Sequence, residues 1–149
     1  MLGELNETQI NNILASQVVG RLACTDGKHP YIVPVMYRYD GKYIYGQTNE
    51  GDKLKILREN KNVCFETDTH TDLRNWQSVV AFGIFEELQG DEADEAREIL
   101  FGNIFAQVTG SKAHKSHPEY PGVLEDNSRV KEVMYRIRIK KLTGRFEKQ

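Results

Sequence analysis

The chain has 149 residues, of which 39% are hydrophobic and 28% charged, and its formal net charge is −2. This length suits one core, and no linker or internal repeat divides it, so residues 1–149 are expected to form a single domain. No run of about 18 apolar residues or secretory signal pattern is present, so we expect no membrane contact. Cys24 and Cys64 lack C-x-x-C spacing, which predicts reduced thiols in a cytoplasmic protein.

Charge is unevenly distributed, with an acidic stretch at 86–98 and a basic stretch at 129–149. A basic tail is one mark of nucleic-acid binding. In this tail, however, Tyr135, Ile137 and Ile139 alternate with basic or polar residues, as in a strand with one buried face. We therefore expect no nucleic-acid partner.

Signals for helices and strands follow one another along the chain. Asn6 with Gln9 three residues on predicts a capping box and a helix through about residue 16. Alternating and β-branched runs predict strands, and two later segments predict helices. The strands are expected at 18–25, 31–39, 42–48, 62–68, 78–88 and 132–147, the helices at 51–60 and 91–107, and a loop at 109–128.

These elements predict a mainly β fold with helices (α+β), built as a barrel of about six mostly antiparallel strands. Asp40-Gly41 is a strong hairpin signal and predicts that 42–48 pairs back on 31–39. Pro34 interrupts the middle of that second strand, which indicates an edge, a bulge or a place where a ligand meets the backbone. Gly83 suggests a bend of the sort that closes small barrels.

A candidate phosphate site follows the strand at 42–48. Small and polar residues end that strand, and Lys53 comes in the first turn of the next helix. Free N–H groups at a helix start, the Lys53 charge and the Thr48 hydroxyl together suit an anion. A turn, a cap and a solvated lysine would have the same sequence. Further on, Trp76 and Ser78 open the strand at 78–88, where Trp76 suits the core or a cofactor contact.

The ordered series of these pieces is more specific than any one of them. Residues 20–88 contain in order G-R-L-A, P-Y-I-V-P-V, Y-D-G, I-Y-G-Q-T, G-D-K, L-R-E-N, V-C-F-E and W-Q-S-V-V. This order resembles the FMN-binding split-barrel family related to pyridoxamine 5′-phosphate oxidase, in particular short flavoproteins similar to the nitroimidazole-resistance group. The resemblance implies a split β-barrel and a homodimer with two FMN sites at its interface. It also implies an oxidoreductase that acts on a small molecule.

The resemblance also implies roles for individual residues. Val33, Pro34 and Val35 would run along the isoalloxazine ring, and Gln47 and Thr48 match positions that touch the flavin. Lys53 matches the phosphate-binding lysine, and Ser78 matches a polar residue at the phosphate end. Trp76 is a further candidate for contact with the flavin. The cofactor-binding residues are therefore Val33, Pro34, Val35, Gln47, Thr48, Lys53, Trp76 and Ser78.

A non-catalytic module of the same barrel is the alternative, holding either a flavin or haem. His114 or His117 would then be the haem ligand. As a metal pair, these histidines lack a neighbouring cysteine or paired carboxylate, so no metal site is expected. No Gly-x-Ser-x-Gly elbow is present to support hydrolysis.

Overall fold

The computed structural model describes residues 1–109 and 131–149. Within these ranges the chain forms three helices, α1 (Glu7–Ser16), α2 (Asp52–Glu59) and α3 (Gly90–Thr109). Its eight strands are β1 (Leu2–Glu4), β2 (Val19–Thr25), β3 (Pro30–Met36), β4 (Arg38–Tyr39), β5 (Tyr43–Asn49), β6 (Asn62–Asp72), β7 (Asn75–Leu88) and β8 (Glu132–Glu147). The predicted mainly β fold with helices is confirmed.

All the strands belong to one antiparallel sheet that curls back on itself. The strand order is β3-β2-β6-β7-β8-β5-β4, and β1 pairs with β8. The two ends of this order, β3 and β4, are separated in the chain by Tyr37 alone. In the described part of the chain no strand pairing joins β3 to β5. The barrel is therefore split between β3 and β5, in agreement with the predicted split barrel.

The core fills the inside of this sheet. Its largest buried aromatic side chains include Tyr37 and Phe65, whose rings meet edge to face with centroids 4.7 Å apart. The apolar sides of α1 and α2 complete the core with Ile10, Ile13, Leu14, Leu54 and Leu57. Helix α3 instead covers the outside of the barrel, where its Ala96 and Leu100 join a second cluster with Tyr45 and Met134. Both faces of β5 are consequently buried over part of its length.

The capping box predicted at the start of α1 is present. Asn6 caps α1 by accepting a 2.9 Å hydrogen bond from the backbone N–H of Gln9, and the Gln9 side chain accepts one from Asn6. At the other end of α1, the buried Tyr37 hydroxyl donates to the carbonyl oxygen of Leu14 at 2.7 Å. Tyr37 lies where the two ends of the sheet meet, so this hydrogen bond connects the end of α1 to that point.

The bend predicted at Gly83 is a β-bulge. The register of β7 against β8 shifts between Phe82 and Gly83. A Cβ atom at Gly83 would lie 2.6 Å from the carbonyl oxygen of Arg138 and 2.7 Å from the Ile137 side chain. Only glycine lets the two backbones approach so closely, and the bulge lets the two long strands bend around the core.

Three sequence expectations need correction. The predicted strand 31–39 is broken at Tyr37, because this side chain turns into the core and the chain passes from one end of the sheet to the other. The hairpin at Asp40-Gly41 forms, but it joins only the two residues of β4 to β5, and β5 pairs over its whole length with β8. Two short strands raise the number from about six to eight. His114 and His117 lie outside the described residues.

Candidate functional site

Within residues 1–109 and 131–149, no strand pairs with the side of the edge strand β3 that borders the split. The N–H of Tyr37 donates to the carbonyl oxygen of Val18 at 2.9 Å, so these two residues form a hydrogen-bonded pair next to the β2–β3 ladder. Since hydrogen-bonded and non-bonded pairs alternate along an antiparallel ladder, the backbone groups of Ile32, Pro34 and Met36 point away from β2. The proline therefore stands where its missing N–H breaks no ladder bond, as predicted for an edge.

Strand β5 forms the opposite rim of the split. The N–H of Glu50 donates to the carbonyl oxygen of Lys131 at 3.0 Å, which sets the phase of the β5–β8 ladder. By the same alternation, the backbone groups of Gln47 and Asn49 point away from β8. Strand β4 pairs with β5 only at Tyr45 and earlier, so it does not cover them. Among the described residues, the split is thus bordered by backbone donors and acceptors of both strands that no strand pairing uses.

The start of α2 lies directly beyond this rim. Its N-cap residue is Gly51, which offers no side-chain hydrogen bond to the first N–H groups of the helix. Lys53 follows in the first turn, half-buried. Uncapped helical N–H groups with a lysine beside them favour an anion, both through the helix dipole and through the full charge. The chemistry of the donor set therefore fits a phosphate group.

Not every sequence-predicted residue faces the split through its side chain. Val33 and Val35 pack against the core, whereas Pro34 is exposed on the other face of β3, so the three cannot present their side chains to one ring. Gln47 is half-buried at the rim. Thr48 is buried, with 7% exposure, and its hydroxyl makes only a 3.5 Å contact with the carbonyl oxygen of Asn49. At the split, the groups that could bind a ligand therefore belong mainly to the backbone and not to the predicted side chains.

Trp76 and Ser78 lie within β7, away from the split. Ser78 donates from its hydroxyl to Glu66 at 3.0 Å, and Arg21 contacts both Glu66 and Asp68, at 3.4 and 3.5 Å. Burial and the hydrogen bond with Asp68 raise the pKa of Glu66. We call the outward side of β3, β2, β6 and β7 the outer face; this polar cluster lies on it, and Trp76 is half-buried beside it.

Lys53 and Ser78 have different surroundings in one protomer. Lys53 acts electrostatically on the buried thiol of Cys24, whose pKa is raised by burial and lowered in part by that lysine. Ser78 contacts Glu66, whose strand partner Arg21 is three residues from Cys24, about 10 Å along β2. Strand β7 is also two strands from β2, a further 10 Å or so. Lys53 and Ser78 therefore belong to different parts of the barrel.

Apolar side chains of the outer face form a row across four strands. Ile32, Ala23, Cys64 and Phe82 are successive partners in the β3, β2, β6 and β7 pairings. Ile32 is 67% exposed and Phe82 is 44% exposed. Exposed apolar side chains that adjoin in this way are typical of a surface that a partner covers.

Sequence reasoning missed several groups of this region. Ile32, Met36 and Asn49 take part through backbone atoms, and only the ladder phase identifies them. Arg21 and Glu66 could have been found, because both are charged residues that alternate with buried ones along strands rich in apolar residues. Within residues 1–109 and 131–149, no three His, Cys, Asp or Glu side chains are grouped to hold a metal ion.

Comparisons with known proteins agree with the fold. A family model described as pyridoxamine 5′-phosphate oxidase matches residues 6–146. An uncharacterized protein of Rhizobium meliloti (strain 1021) is 31% identical over 84 residues, and this match spans 56% of each protein.

Among the helices of the described part, none is long and apolar enough to cross a membrane.

Two solved structures share the fold over nearly the whole chain. A FAD-binding protein from Mesorhizobium loti is 26% identical, with a TM-score of 0.78 and coverage of 100% of this chain and 98% of that one. A candidate 5-nitroimidazole antibiotic resistance protein from Bacteroides thetaiotaomicron is 19% identical, with a TM-score of 0.77 and coverage of 98% and 87%. Together with the family match, these structures confirm the split-barrel fold of this chain.

Proposed function

Because the chain belongs to the pyridoxamine 5′-phosphate oxidase family, we propose that it is a flavoprotein that binds FMN and acts as an oxidoreductase on a small molecule. The observation that carries this proposal is the split itself. In the described part of the chain, two rims of backbone groups that no strand pairing uses lead to a helix start that has no side-chain cap and carries Lys53. A flavin needs both features, because one end of FMN is a flat ring with a polar edge and the other is a phosphate.

The ring would lie along β3. The pyrimidine edge of the flavin would find donors and acceptors in backbone groups of β3 that point away from β2. These are the N–H groups of Ile32 and Met36 and the carbonyl of Pro34. Gln47 supplies further backbone groups from the other rim. The flavin would accept and donate electrons, and the protein would supply its position and electrostatic surroundings.

Binding measurements with FMN and riboflavin test the phosphate site. The two compounds share the ring and differ in the phosphate, so a site that recognises the phosphate must prefer FMN. We expect the purified protein to be yellow, or to take up one FMN per chain, and to bind riboflavin more weakly. Equal affinity for the two compounds would contradict the assignment of α2 and Lys53.

We propose FMN and not FAD, although the 26% identical structure is that of a FAD-binding protein. The start of α2, with Lys53, is one anion site, which suits a single terminal phosphate. Mass spectrometry of the cofactor released by heat distinguishes the two. Recovery of FAD as the main species would overturn FMN as the cofactor while leaving a flavoprotein.

A homodimer is part of the proposal. Lys53 lies at the start of α2, whereas Ser78 lies on the outer face within β7, so in the proposed dimer Ser78 would come from the second copy. The exposed apolar row on the outer face supports such pairing, and two-fold pairing is the commonest way for a chain to bury such a surface. Light scattering should give about 34 kDa, twice the 17.1 kDa of one chain. A monomer that binds FMN would contradict the dimer.

Redox activity and location need separate tests. Reduction of the bound flavin by a nicotinamide coenzyme, followed by reoxidation by an added acceptor, would support an oxidoreductase. A bound flavin that no donor reduces would favour a storage or sensing module. The two free thiols of Cys24 and Cys64 support a reducing cytoplasmic setting, which fractionation of the cells can check.

A further inference from the structure

Arg58 connects both ends of α2 to the barrel. Its Nε and Nη2 atoms each lie 2.8 Å from a carboxylate oxygen of Glu87 on β7. Its Nη1 and Nη2 atoms lie 3.3 and 3.1 Å from the two carboxylate oxygens of Glu50. The planar guanidinium thus makes two paired contacts at once, the geometry in which arginine fixes carboxylates most firmly.

Glu50 is the residue that leads into the N-cap of α2. It directly precedes Gly51, and its N–H donates to the carbonyl oxygen of Lys131 at 3.0 Å. Glu50 is therefore held twice, by its backbone at β8 and by its side chain at Arg58. Gly51 makes no side-chain cap, so these contacts of Glu50 hold the segment that enters the helix, beside the packing of Leu54 and Leu57 in the core.

The charge of Glu50 gives this contact a second consequence. A carboxylate one residue before an N-cap lies close to the site where α2 would hold an anion, and it would repel a phosphate there. Arg58 offsets that charge at hydrogen-bonding distance. The hydrogen bonds from Arg58 also lower the pKa of Glu87, so this carboxylate remains ionised and keeps the arginine in place near neutral pH.

We propose that Arg58 is a positioning residue for the anion-binding start of α2: by holding Glu50 against Glu87, it fixes Gly51, Asp52 and Lys53 where they meet the phosphate. This inference rests on the proposed FMN site and adds to it a residue at the far end of the helix. Arg58 itself need not touch the cofactor, because it acts through Glu50.

The test compares FMN and riboflavin binding in Arg58→Gln and in the parent protein, followed by quenching of flavin fluorescence. We expect FMN affinity to fall about fivefold, the size of the better ion pairs at a surface, and riboflavin affinity to stay unchanged. A change in folding alone would weaken both ligands together. An equal loss of FMN and riboflavin affinity would therefore overturn the proposal.

Arg136→Gln is the matched control. Arg136 contacts Glu86, the neighbour of Glu87 on β7, also at 2.8 Å, but it does not contact Glu50. The control should lose a comparable amount of thermal stability and keep the parent preference for FMN. If it loses FMN affinity as Arg58→Gln does, loss of an ion pair on β7 is the cause and the positioning role is wrong.

The double variant Glu50→Gln/Arg58→Gln separates position from charge. It lacks both the paired contacts of Arg58 and the repelling carboxylate of Glu50. If Arg58 acts by position, this variant should still bind FMN more weakly than the parent. Full recovery would mean that Arg58 only neutralises Glu50, which would overturn the proposal. A parent protein that binds FMN and riboflavin equally would overturn the proposed phosphate site and this inference with it. A parent preference for FMN that survives Arg58→Gln would overturn the inference alone.

Discussion

Replacement of Lys53 by methionine tests the phosphate site at its centre. Lys53 lies in the first turn of α2, where the helix dipole disfavours a cation unless an anion is beside it. A charge-assisted hydrogen bond to a phosphate contributes about 1.5–3 kcal/mol. Loss of the ammonium group should therefore weaken FMN binding roughly ten- to hundredfold. Methionine has a similar length and helix propensity, so α2 should remain folded.

Lys55→Met is the control for Lys53→Met. The Lys55 side chain is 75% exposed and its ammonium lies 4.0 Å from Asp52, so this change removes the same charge from the same helix at a more solvated place. Both variants are titrated with FMN and with riboflavin at fixed salt by quenching of flavin fluorescence. We expect Lys53→Met alone to lose FMN affinity and to keep its riboflavin affinity. A similar loss in both variants would refute the placement of the phosphate.

Three other measurements probe the barrel and its outer face. Gly83→Ala places a Cβ 2.6 Å from the carbonyl oxygen of Arg138, so the free energy of unfolding in urea should fall by about 1–3 kcal/mol. An unchanged unfolding midpoint would contradict the tight bulge. The raised pKa of Glu66 means that its contribution to stability declines as pH rises from the ordinary carboxyl pKa through the raised one. Glu66→Gln should therefore gain stability relative to the parent as pH rises above the ordinary carboxyl range, and a constant difference would refute this. Trp76 is the only tryptophan, and its fluorescence should be quenched by FMN; no change would exclude it as a flavin contact.

Local sequence signals predicted the elements of this fold well. The capping box at Asn6, the bend at Gly83 and the three alternatives for Pro34, an edge among them, all follow from conformational limits that act within a few residues. The period-two alternation of β8 was equally clear. Such features need no knowledge of the rest of the chain, which is why the sequence alone was sufficient for them.

Pairing between distant segments was harder to predict. The Asp40-Gly41 turn is a true hairpin signal, yet it could not reveal that β5 pairs along its length with β8, some 90 residues away. The break at Tyr37 has the same origin, because only the assembled core shows why this side chain turns inward. The ladder phase, which decides that Ile32 and not Val33 presents its backbone to the split, likewise depends on pairing across strands.

The position of β8 has a consequence for the way the chain acquires its structure. This strand, the last in the described sequence, pairs with β1, β5 and β7, which include the first strand and two in the middle. During synthesis β5 and β7 must wait with open edges until residues 132–147 leave the ribosome. Such edges are templates for wrong pairing with other chains. The folding of this barrel should therefore be late, because long-range contacts dominate it and it depends on β8.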